Sequence, residues 1–459
     1  MDKRHSTAYQ EHLSALKLQA QDLERQLTCK RLEIADFINS AAPISFIPIE
    51  ILAEIFKAGH RSARDASLFA LIVSHVSHHW REVALHLPSL WTILHFGQGL
   101  LESEMLLNLY LERSRPWLLD VRFDHLSHPS HDDCHLIRPL ALYRHTERWI
   151  RFTMNSTCPY ITSFIFECLS SKMAPALESF ETSYIGDWAS GMGDPIFKGA
   201  GGAPRLSFMT LRNMGVAMAT PSLASLACLQ IGPDEAISDD TTYDWFGSEL
   251  ISKLENAPAL KSLVICHDLH AITDDENRPI DILSLLSLEI RCTLSSQGQH
   301  ISCLFSLIGA SNLESLILDF PNHDGMSAFM DLLHKQPLSA KFPRLRMLSL
   351  HLHRIHDDLL VELCDLFPAT TFILSVRESG HALLQLLDAS HGDIHWHQLR
   401  SIFVPRPMYI EHLDLLCAVL TSRIAAGCPI SRMQVEASFF RDVPRDRIRW
   451  LEERVELAM

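Results

Sequence analysis

Histidine is the unusual residue in this composition, with 26 copies among 459 residues. Imidazole binds zinc and titrates near neutral pH, so histidine clusters are the first places to look for chemistry. The clusters are His351, His353 and His356; His395 and His397; and His128, His131, Asp132, Asp133, Cys134 and His135. A metal needs three or four converging ligands, and no cluster has a second half with fitting spacing. We interpret these histidines as solvent-facing strand and loop residues, and we predict no metal site and no cofactor.

Sequence motifs for catalysis are missing too. The chain has no Gly-x-Ser-x-Gly elbow, no P-loop and no dinucleotide fingerprint. A cysteine–histidine pair stays open, but nothing in the spacing selects one. We therefore predict no catalytic residue and interpret the chain as a protein that is not an enzyme.

Composition narrows the class of protein and its possible partners further. With 47% hydrophobic and 21% charged residues, the chain can bury a large core. A formal charge of −15 without a lysine or arginine run argues against nucleic acid as a partner. The N-terminal residues 1–26 are polar rather than signal-like, and the apolar runs are too short for a membrane span. The 11 cysteines form no Cys-x-x-Cys pair, which favours reduced thiols. We expect a soluble protein of the cytoplasm, the nucleus or both, with no membrane partner.

Residues 47–94 predict a compact helical module. Pro48 suits the first turn of a helix, because its fixed φ and missing N–H cost nothing there. Apolar pairs four residues apart then form one stripe, and the pairs are Ile51–Leu52 and Ile55–Phe56. A second series at helical spacing ends before Pro88, and its members are Leu68, Ile72, Val76, Trp80, Val83 and Leu87. Helices this short need a partner or a neighbouring domain to cover such stripes.

The same segment resembles the F-box, whose pattern is Leu-Pro-x-Glu-Ile-Leu-x-x-Ile-Phe, then Val-x-x-x-Trp and a Leu-Trp pair. The matching residues are Pro48, Glu50, Ile51, Leu52, Ile55, Phe56, Val76, Ser77, Trp80, Arg81, Leu90 and Trp91. The segment departs from the pattern at Ile47, which keeps the hydrophobic volume of leucine.

The F-box resemblance implies a three-helix module that binds the Skp adaptor and, through it, a cullin scaffold. The adaptor-binding residues it implies are Ile47, Pro48, Glu50, Ile51, Leu52, Ile55, Val76 and Trp80. Val76 and Trp80 either face the partner or pack in the core of the module, and the sequence does not distinguish these two roles. The other interpretation of the segment is a plain helical cap on its own protein.

The N-terminal residues 1–40 predict a separate amphipathic helix. Apolar residues recur in alternating steps of three and four, with one lysine among them: Leu13, Leu16, Ala20, Leu23, Leu27, Lys30 and Ile34. This spacing is typical of a coiled coil, so one interpretation is a homodimer formed through the helix. A single helix that folds back or frays is the alternative.

An internal repeat occupies most of the remaining chain. The unit is an apolar residue followed by further apolar residues three and five positions later. The copies begin at Leu118, Trp149, Leu177, Leu206, Leu226, Leu260, Leu285, Leu313, Leu345, Thr371, Leu399 and Ile430. Eleven steps cover 312 residues, near 28 per step, which lies within the 20–29 residues of a leucine-rich repeat. The weaker copies are Leu177, Phe180 and Thr182, and Thr371, Leu374 and Val376.

The repeat predicts stacked units of strand and helix. The last two apolar positions alternate with a polar one, as in a strand with one buried face. Helical segments follow at residues 248–256, 327–335, 357–367 and 381–388, and residues 445–457 read as a helix capping the end. No copy shows the Asn or Cys that most leucine-rich repeats place after the strand, so we predict a solenoid without regular horseshoe curvature.

Taken together, these patterns predict an α/β fold in three parts: a coiled-coil helix (1–40), an F-box (41–95) and an irregular leucine-rich-repeat-like solenoid (96–459). The chain resembles fungal F-box proteins with leucine-rich-repeat-like C-terminal regions. This implies a substrate-recognition subunit of a cullin–RING ubiquitin ligase, whose solenoid holds an unknown protein target. The alternative is a non-catalytic protein-interaction scaffold without ligase association.

Overall fold

The fold is a mixture of helices and one long parallel sheet, and the chain divides into two compact units, Met1–Asp120 and Val121–Met459. The predicted parts 1–40, 41–95 and 96–459 are finer than this division and stay predictions. The computed structural model describes residues 3–63, 65–96, 103–126, 140–184, 196–197, 202–213, 223–232, 247–266, 280–291, 304–305, 307–320, 342–352, 357–376, 380–391, 394–404, 410–435 and 443–458.

The first unit is mainly helical. Its α-helices are α1 (Lys3–Ala41), α2 (Ile49–Ser62), α3 (Ala66–Ser74), α4 (His78–Leu85) and α5 (Glu104–Arg113). Two 3-10 helices, Pro43–Phe46 and Pro88–Trp91, and the strand β1 (Ile93–Phe96) complete its described elements.

Side-chain caps divide the second apolar series of the sequence into two helices. Asp65 caps α3 by accepting a hydrogen bond from the Leu68 backbone N–H at 3.0 Å. Ser77 caps α4 in the same way, with the Trp80 N–H as donor at 3.2 Å. A capping hydroxyl satisfies an N–H that the first helical turn leaves unpaired, so the chain can start a new helix at His78.

Trp91 lies at the centre of the first unit. It is fully buried, and its Nε1–H donates to the Ala84 carbonyl oxygen at 2.9 Å. Tyr110 meets the indole edge-on at a centroid distance of 4.9 Å, and the Arg113 guanidinium lies 4.4 Å from the ring centroid. Tyr110 in turn donates its hydroxyl to the Ser67 carbonyl oxygen, which ties α5 to α3.

The second unit alternates strands with helices and 3-10 turns. Its α-helices are α6 (Pro159–Ser170), α7 (Gly247–Glu255), α8 (Asp357–Leu366), α9 (Gly380–Leu387), α10 (Ile410–Ala425) and α11 (Arg445–Glu452). The 3-10 helices are Leu142–Arg148, Leu223–Ser225 and Ala389–His391. The strands are β2 (Leu119–Leu126), which spans the division, β3 (Trp149–Ser156), β4 (Ser179–Tyr184), β5 (Phe208–Arg212), β6 (Cys228–Gly232), β7 (Ser262–Cys266), β8 (Ile280–Asp281), β9 (Ser287–Arg291), β10 (Ile308–Gly309), β11 (Ser315–Phe320), β12 (Met347–Leu352), β13 (Phe372–Val376), β14 (Ser401–Val404), β15 (Arg432–Val435) and β16 (Glu456–Ala458).

The sheet of the second unit runs in sequence order. From β3 onward the order is β3-β4-β5-β6-β7-β9-β11-β12-β13-β14-β15-β16, while β8 and β10 form a separate parallel pair. Leu229, Leu263, Leu288, Leu316 and Leu348 are paired from strand to strand, and all are fully buried. Each copy therefore covers the apolar face of its neighbour, and the predicted α/β class with a long parallel sheet is confirmed.

Three sequence predictions are wrong in register or extent. In β13 the buried residue paired with Leu348 is Ile373, so the copy assigned to Thr371, Leu374 and Val376 is shifted by one. A shift of one residue exchanges the two faces of a strand. In β2, Leu119 is buried and Leu118 is 38% exposed, the reverse of the prediction.

The third correction concerns the C-terminal segment, which is helical only in α11. After Glu452 the chain turns and pairs as β16 beside β15, with Leu457 opposite Met433. Leu451 and Val455 are buried on either side of that turn. The sheet thus gains one more strand where the sequence predicted a continuous helix.

Asn213 is a buried asparagine directly after β5, one residue before the position at which most leucine-rich repeats carry their Asn or Cys. It follows β5 with φ 58°, is fully buried, and donates from Nδ2 to the Tyr184 carbonyl oxygen at 2.7 Å. Its backbone N–H donates to the Gly232 carbonyl oxygen at 2.9 Å. Gly232 has φ 153° and lies so close to Cys266 that a Cβ would fall 2.1 Å from its carbonyl oxygen. Through these contacts Asn213 joins the ends of β4, β5 and β6.

Within the described part of the chain, no helix combines the length and apolarity needed to cross a membrane.

Candidate partner-docking surface

Helix α3 buries mainly small residues on one side and exposes two large aliphatic residues on the other. Ala70 is fully buried, and Val73 and Ser74 are each 3% exposed. On the other side, Leu68 is 39% exposed and Ile72 is 54% exposed. Large aliphatic side chains lose contact with water favourably, so an outward pair of this kind marks a surface that a partner can cover.

Helix α2 also has one buried and one exposed apolar side, but here both sides carry large residues. Leu52 and Phe56 are buried, whereas Ile51 is 53% exposed and Ile55 is 45% exposed. The outward pair is four residues apart, so both side chains lie on one face of α2. Ile49 adds a third outward side chain in the first turn, at 54% exposed.

Close packing between helices holds this surface in place. Gly59 of α2 lies against the Phe69 ring of α3, and a Cβ at Gly59 would fall 2.5 Å from that ring. Phe56 contacts Trp80 of α4 with ring centroids 5.0 Å apart. Arg81 then donates from Nε to the Ser74 carbonyl oxygen at 2.9 Å, which joins the end of α3 to α4. The outward residues are thus carried by helices whose inner contacts are fixed.

Charges near this surface are paired locally. Lys57 and Glu54 form an ion pair at 2.7 Å on α2, and the hydrogen bond from Lys57 lowers the pKa of Glu54. Burial works to raise the pKa of Asp65, but hydrogen bonds from Ser67 and Leu68 together outweigh it, so that pKa is lowered. Asp65 consequently stays ionised as the cap of α3 at neutral pH.

The predicted adaptor-binding residues divide into exposed and buried groups. Pro48, Glu50, Ile51, Ile55 and Val76 are exposed, and Ile47 and Trp80 are half-buried. Leu52 is fully buried and lies in the core of α2 and its neighbours. Trp80 packs on Phe56, so its ring contributes to the core, while Val76 is 49% exposed between α3 and α4.

Sequence reasoning missed Ile49, Leu68 and Ile72 as surface candidates. Leu68 and Ile72 were visible in the apolar series, but that series alone does not say which side faces inward. The sequence did contain one signal. The opposite face of α3 carries the small residues Ala66, Ser67 and Ala70, which allow that face to pack closely against a neighbouring helix. A helix with small residues on one side can bury that side closely and expose its large ones.

A second surface, which carries charged residues, lies on the sheet of the second unit. Asp319 of β11 is paired in register with Arg291 of β9 and with His351 of β12. Glu289 accepts a hydrogen bond from Arg291 Nε at 2.6 Å. These described strand positions therefore carry charges of both signs.

The histidine clusters assemble no metal centre in the described part of the chain. Residues 128, 131–135, 353 and 356 lie outside the described residues, and no group of three ligating side chains occurs among those described. His395 and His397 flank Trp396, which has φ 44° and donates from Nε1 to the Phe367 carbonyl oxygen at 3.1 Å. Arg423 donates to the carbonyl oxygens of His395 and Trp396, so this segment is bound through its backbone.

Comparisons with known proteins place few constraints on this chain. No protein-family model matches it, and no curated protein matches it. Among solved structures, it is similar to a Bacteroides fragilis protein determined by a structural genomics consortium. That likeness has a TM-score of 0.31 and 12% sequence identity over 76% of each chain.

Proposed function

We propose that the chain is a substrate receptor of a cullin–RING ubiquitin ligase, and that helices α2 and α3 dock the Skp adaptor. The observation that carries the proposal is the outward apolar surface of Ile51, Ile55, Leu68, Ile72 and Val76. Several exposed aliphatic side chains on neighbouring helices are what a protein-docking surface requires. The F-box resemblance of residues 47–94 supplies the identity of the partner.

In this proposal the second unit is a leucine-rich-repeat-like solenoid that holds the target protein. The mechanism is positional and needs no catalytic group from this chain. Binding target and adaptor together raises the effective concentration of target lysines near the ubiquitin-carrying enzyme. Outward strand residues such as Glu289, Arg291 and Asp319 are candidates for target contacts.

The second candidate is a non-catalytic interaction scaffold without ligase association. The long parallel sheet favours it equally, because stacked repeats bind proteins whether or not an adaptor is attached. The two functions differ only in adaptor and cullin association, so one experiment separates them.

The test is co-purification of the full chain with the Skp adaptor and cullin. We compare the native chain with an Ile51→Asp, Ile72→Asp variant, since both residues are about half exposed and their loss should leave the fold intact. The matched control is Leu283→Asp, Ile424→Asp, which places the same charges at apolar residues 60% and 45% exposed in the second unit. Circular dichroism and thermal melting verify that all three proteins are folded.

The receptor function predicts adaptor and cullin with the native chain and the control, and at least a tenfold loss with the surface variant. Absence of the adaptor from every sample would overturn it in favour of the scaffold. Equal recovery with both variants would show that α2 and α3 are not the docking surface.

A further inference from the structure

Helix α1 presents a long line of exposed apolar residues. Every described side chain from Tyr9 to Ile38 is exposed. The exposed fractions along the line are 70% for Tyr9, 39% for Leu13, 48% for Leu16, 64% for Leu23, 52% for Leu27 and 60% for Ile34. The steps between line positions, which include Ala20 and Lys30, alternate between three and four residues. This average of 3.5 keeps one side of a helix facing a second helix along its whole length.

The length of this line fits a second helix of the same kind. Residues 9–34 lie within α1 and span about 39 Å at 1.5 Å per residue, so a second copy of the helix can cover every position of the line. Most of the stability of a helix in a protein comes from packing of its apolar face. Pairing with a second helix would therefore also stabilise α1, which is exposed on all sides.

We propose that two copies of this chain associate through residues 9–34 of α1 as an antiparallel two-stranded coiled coil. This pairing goes beyond adaptor docking and does not depend on it. In the proposed alignment Leu16 of one copy packs on Leu27 of the other, and Ala20 packs on Leu23. Lys30 lies opposite Leu13, where its aliphatic stem packs while its ammonium group stays near Glu33, its partner at 2.7 Å.

The charges beside the apolar line select the antiparallel direction. In this alignment Lys17 of each copy lies beside Glu24 of the other, and His12 lies beside Glu33. In a parallel, in-register pair Lys30 would face Lys30 of the other copy, and Lys17 would lie beside His12. Opposite charges at flanking positions set the partner and orientation of coiled coils.

The first test is the molar mass of the full-length chain, measured by light scattering and sedimentation velocity over a range of concentrations. The native chain should be dimeric, and Leu16→Asp, Leu27→Asp should raise the dissociation constant at least 100-fold. The matched control is Leu18→Asp, Leu32→Asp, because these leucines are 68% and 62% exposed on the opposite side of α1. A monomeric native chain, or a control that dissociates like the variant, would overturn the proposal.

The second test reverses charges to determine whether the two helices pair in the antiparallel direction. Lys17→Glu should weaken the dimer by about 4- to 30-fold, since it replaces two attractive contacts by two repulsive ones. Adding Glu24→Lys to the same chain should restore the native affinity. Unchanged dimerisation in Lys17→Glu, or no recovery in the double variant, would exclude the antiparallel alignment.

Discussion

Helix α3 and the parallel sheet use large aliphatic residues in opposite ways. In the sheet, Leu263 and Leu288 are fully buried because the next strand brings an equivalent residue to the same position. On α3, Ala70 is buried while Leu68 and Ile72 are outward. A repeated array supplies the partner of each apolar face within the chain, except at its ends. A short helical module has no next copy, so its remaining apolar face is available for another protein.

This comparison separates residues that stabilise the fold from residues that we propose serve association. Substitutions of the first kind should change stability, and substitutions of the second kind should change binding alone. Because the chain has two units, local stability is best measured by hydrogen exchange of the backbone amides in each element rather than by one global melting curve.

The largest loss of stability is expected for Trp91→Ala in the first unit. Removing this buried indole leaves a large cavity and takes one of the donors from the Ala84 carbonyl oxygen, at a cost of about 3–5 kcal/mol. Amides of α3 and α4 should exchange correspondingly faster. Trp91→Phe, which keeps most of the ring contacts, should cost clearly less. Equal protection in Trp91→Ala and the native chain would show that the first unit is not organised around this residue.

In the second unit, Leu288→Ala should cost about 2–5 kcal/mol, because the residue is fully buried between two strands. Leu283 is the same residue type five positions earlier and is 60% exposed. Leu283→Ala should change stability by no more than about 0.5 kcal/mol. Exchange of the β7, β9 and β11 amides measures both, and similar values for the two would contradict the burial argument.

Asn213→Ala should destabilise the neighbouring strands by about 1–3 kcal/mol, because the hydrogen bond from Asn213 Nδ2 to the Tyr184 carbonyl oxygen is lost and a positive φ disfavours alanine. Asn213→Gly keeps the backbone conformation and removes only the side-chain hydrogen bond. A smaller loss in the glycine variant than in the alanine variant would separate the two causes. Exchange of the β4 and β5 amides is the measurement.

Asp65 should make the stability of α3 dependent on pH. Its folded-state pKa lies below the ordinary value of 3.8, so the ionised carboxylate stabilises the fold above that value. This contribution is lost as the pH falls through the lowered pKa. Asp65→Ala should cost about 1 kcal/mol at neutral pH and progressively less in acid. Asp65→Asn keeps a capping oxygen without the charge, so it should lose the pH dependence but retain most of the cap. Hydrogen exchange of the α3 amides from pH 7 to pH 3, corrected for the intrinsic pH dependence of exchange, measures both variants.

The effect of Ile72→Ala on stability should be as small as that of Leu283→Ala, within about 0.5 kcal/mol, because the side chain is already half exposed. Recovery of the Skp adaptor should nevertheless fall. Val73→Ala, at the next position and buried, should show the reverse pattern. If Ile72→Ala destabilised α3 as much as Val73→Ala, the outward face of α3 would be part of the fold rather than a docking surface.

The sequence was a good guide to where elements lie. Helices predicted at residues 248–256, 357–367 and 381–388 are found as α7, α8 and α9, each within one residue at both ends. The sequence predicts these helix positions because they are set by local periodicity and turn residues, which involve only residues close together along the chain. The helix predicted at residues 327–335 lies outside the described residues.

The sequence was a poor guide where two patterns overlapped. In β13, alternation of Leu374 with Val376 favours one register, but pairing with Leu348 selects the adjacent aliphatic residue, Ile373. At the C-terminus, Val455 and Leu457 fit an amphipathic helix or a strand. Only the open edge of β15 makes the strand the better choice.

The amino-acid sequence by itself determined the α/β class, the succession of strands and helices, and the presence of apolar stripes at residues 47–94 and along α1. The tertiary structure alone decided which side of each stripe is covered. On α3 the close approach of Phe69 to Gly59 brings the small residues inward, and Leu68 and Ile72 are left outside. The physical reason is that hydrophobicity belongs to a residue, whereas burial depends on the atoms that distant parts of the chain bring next to it.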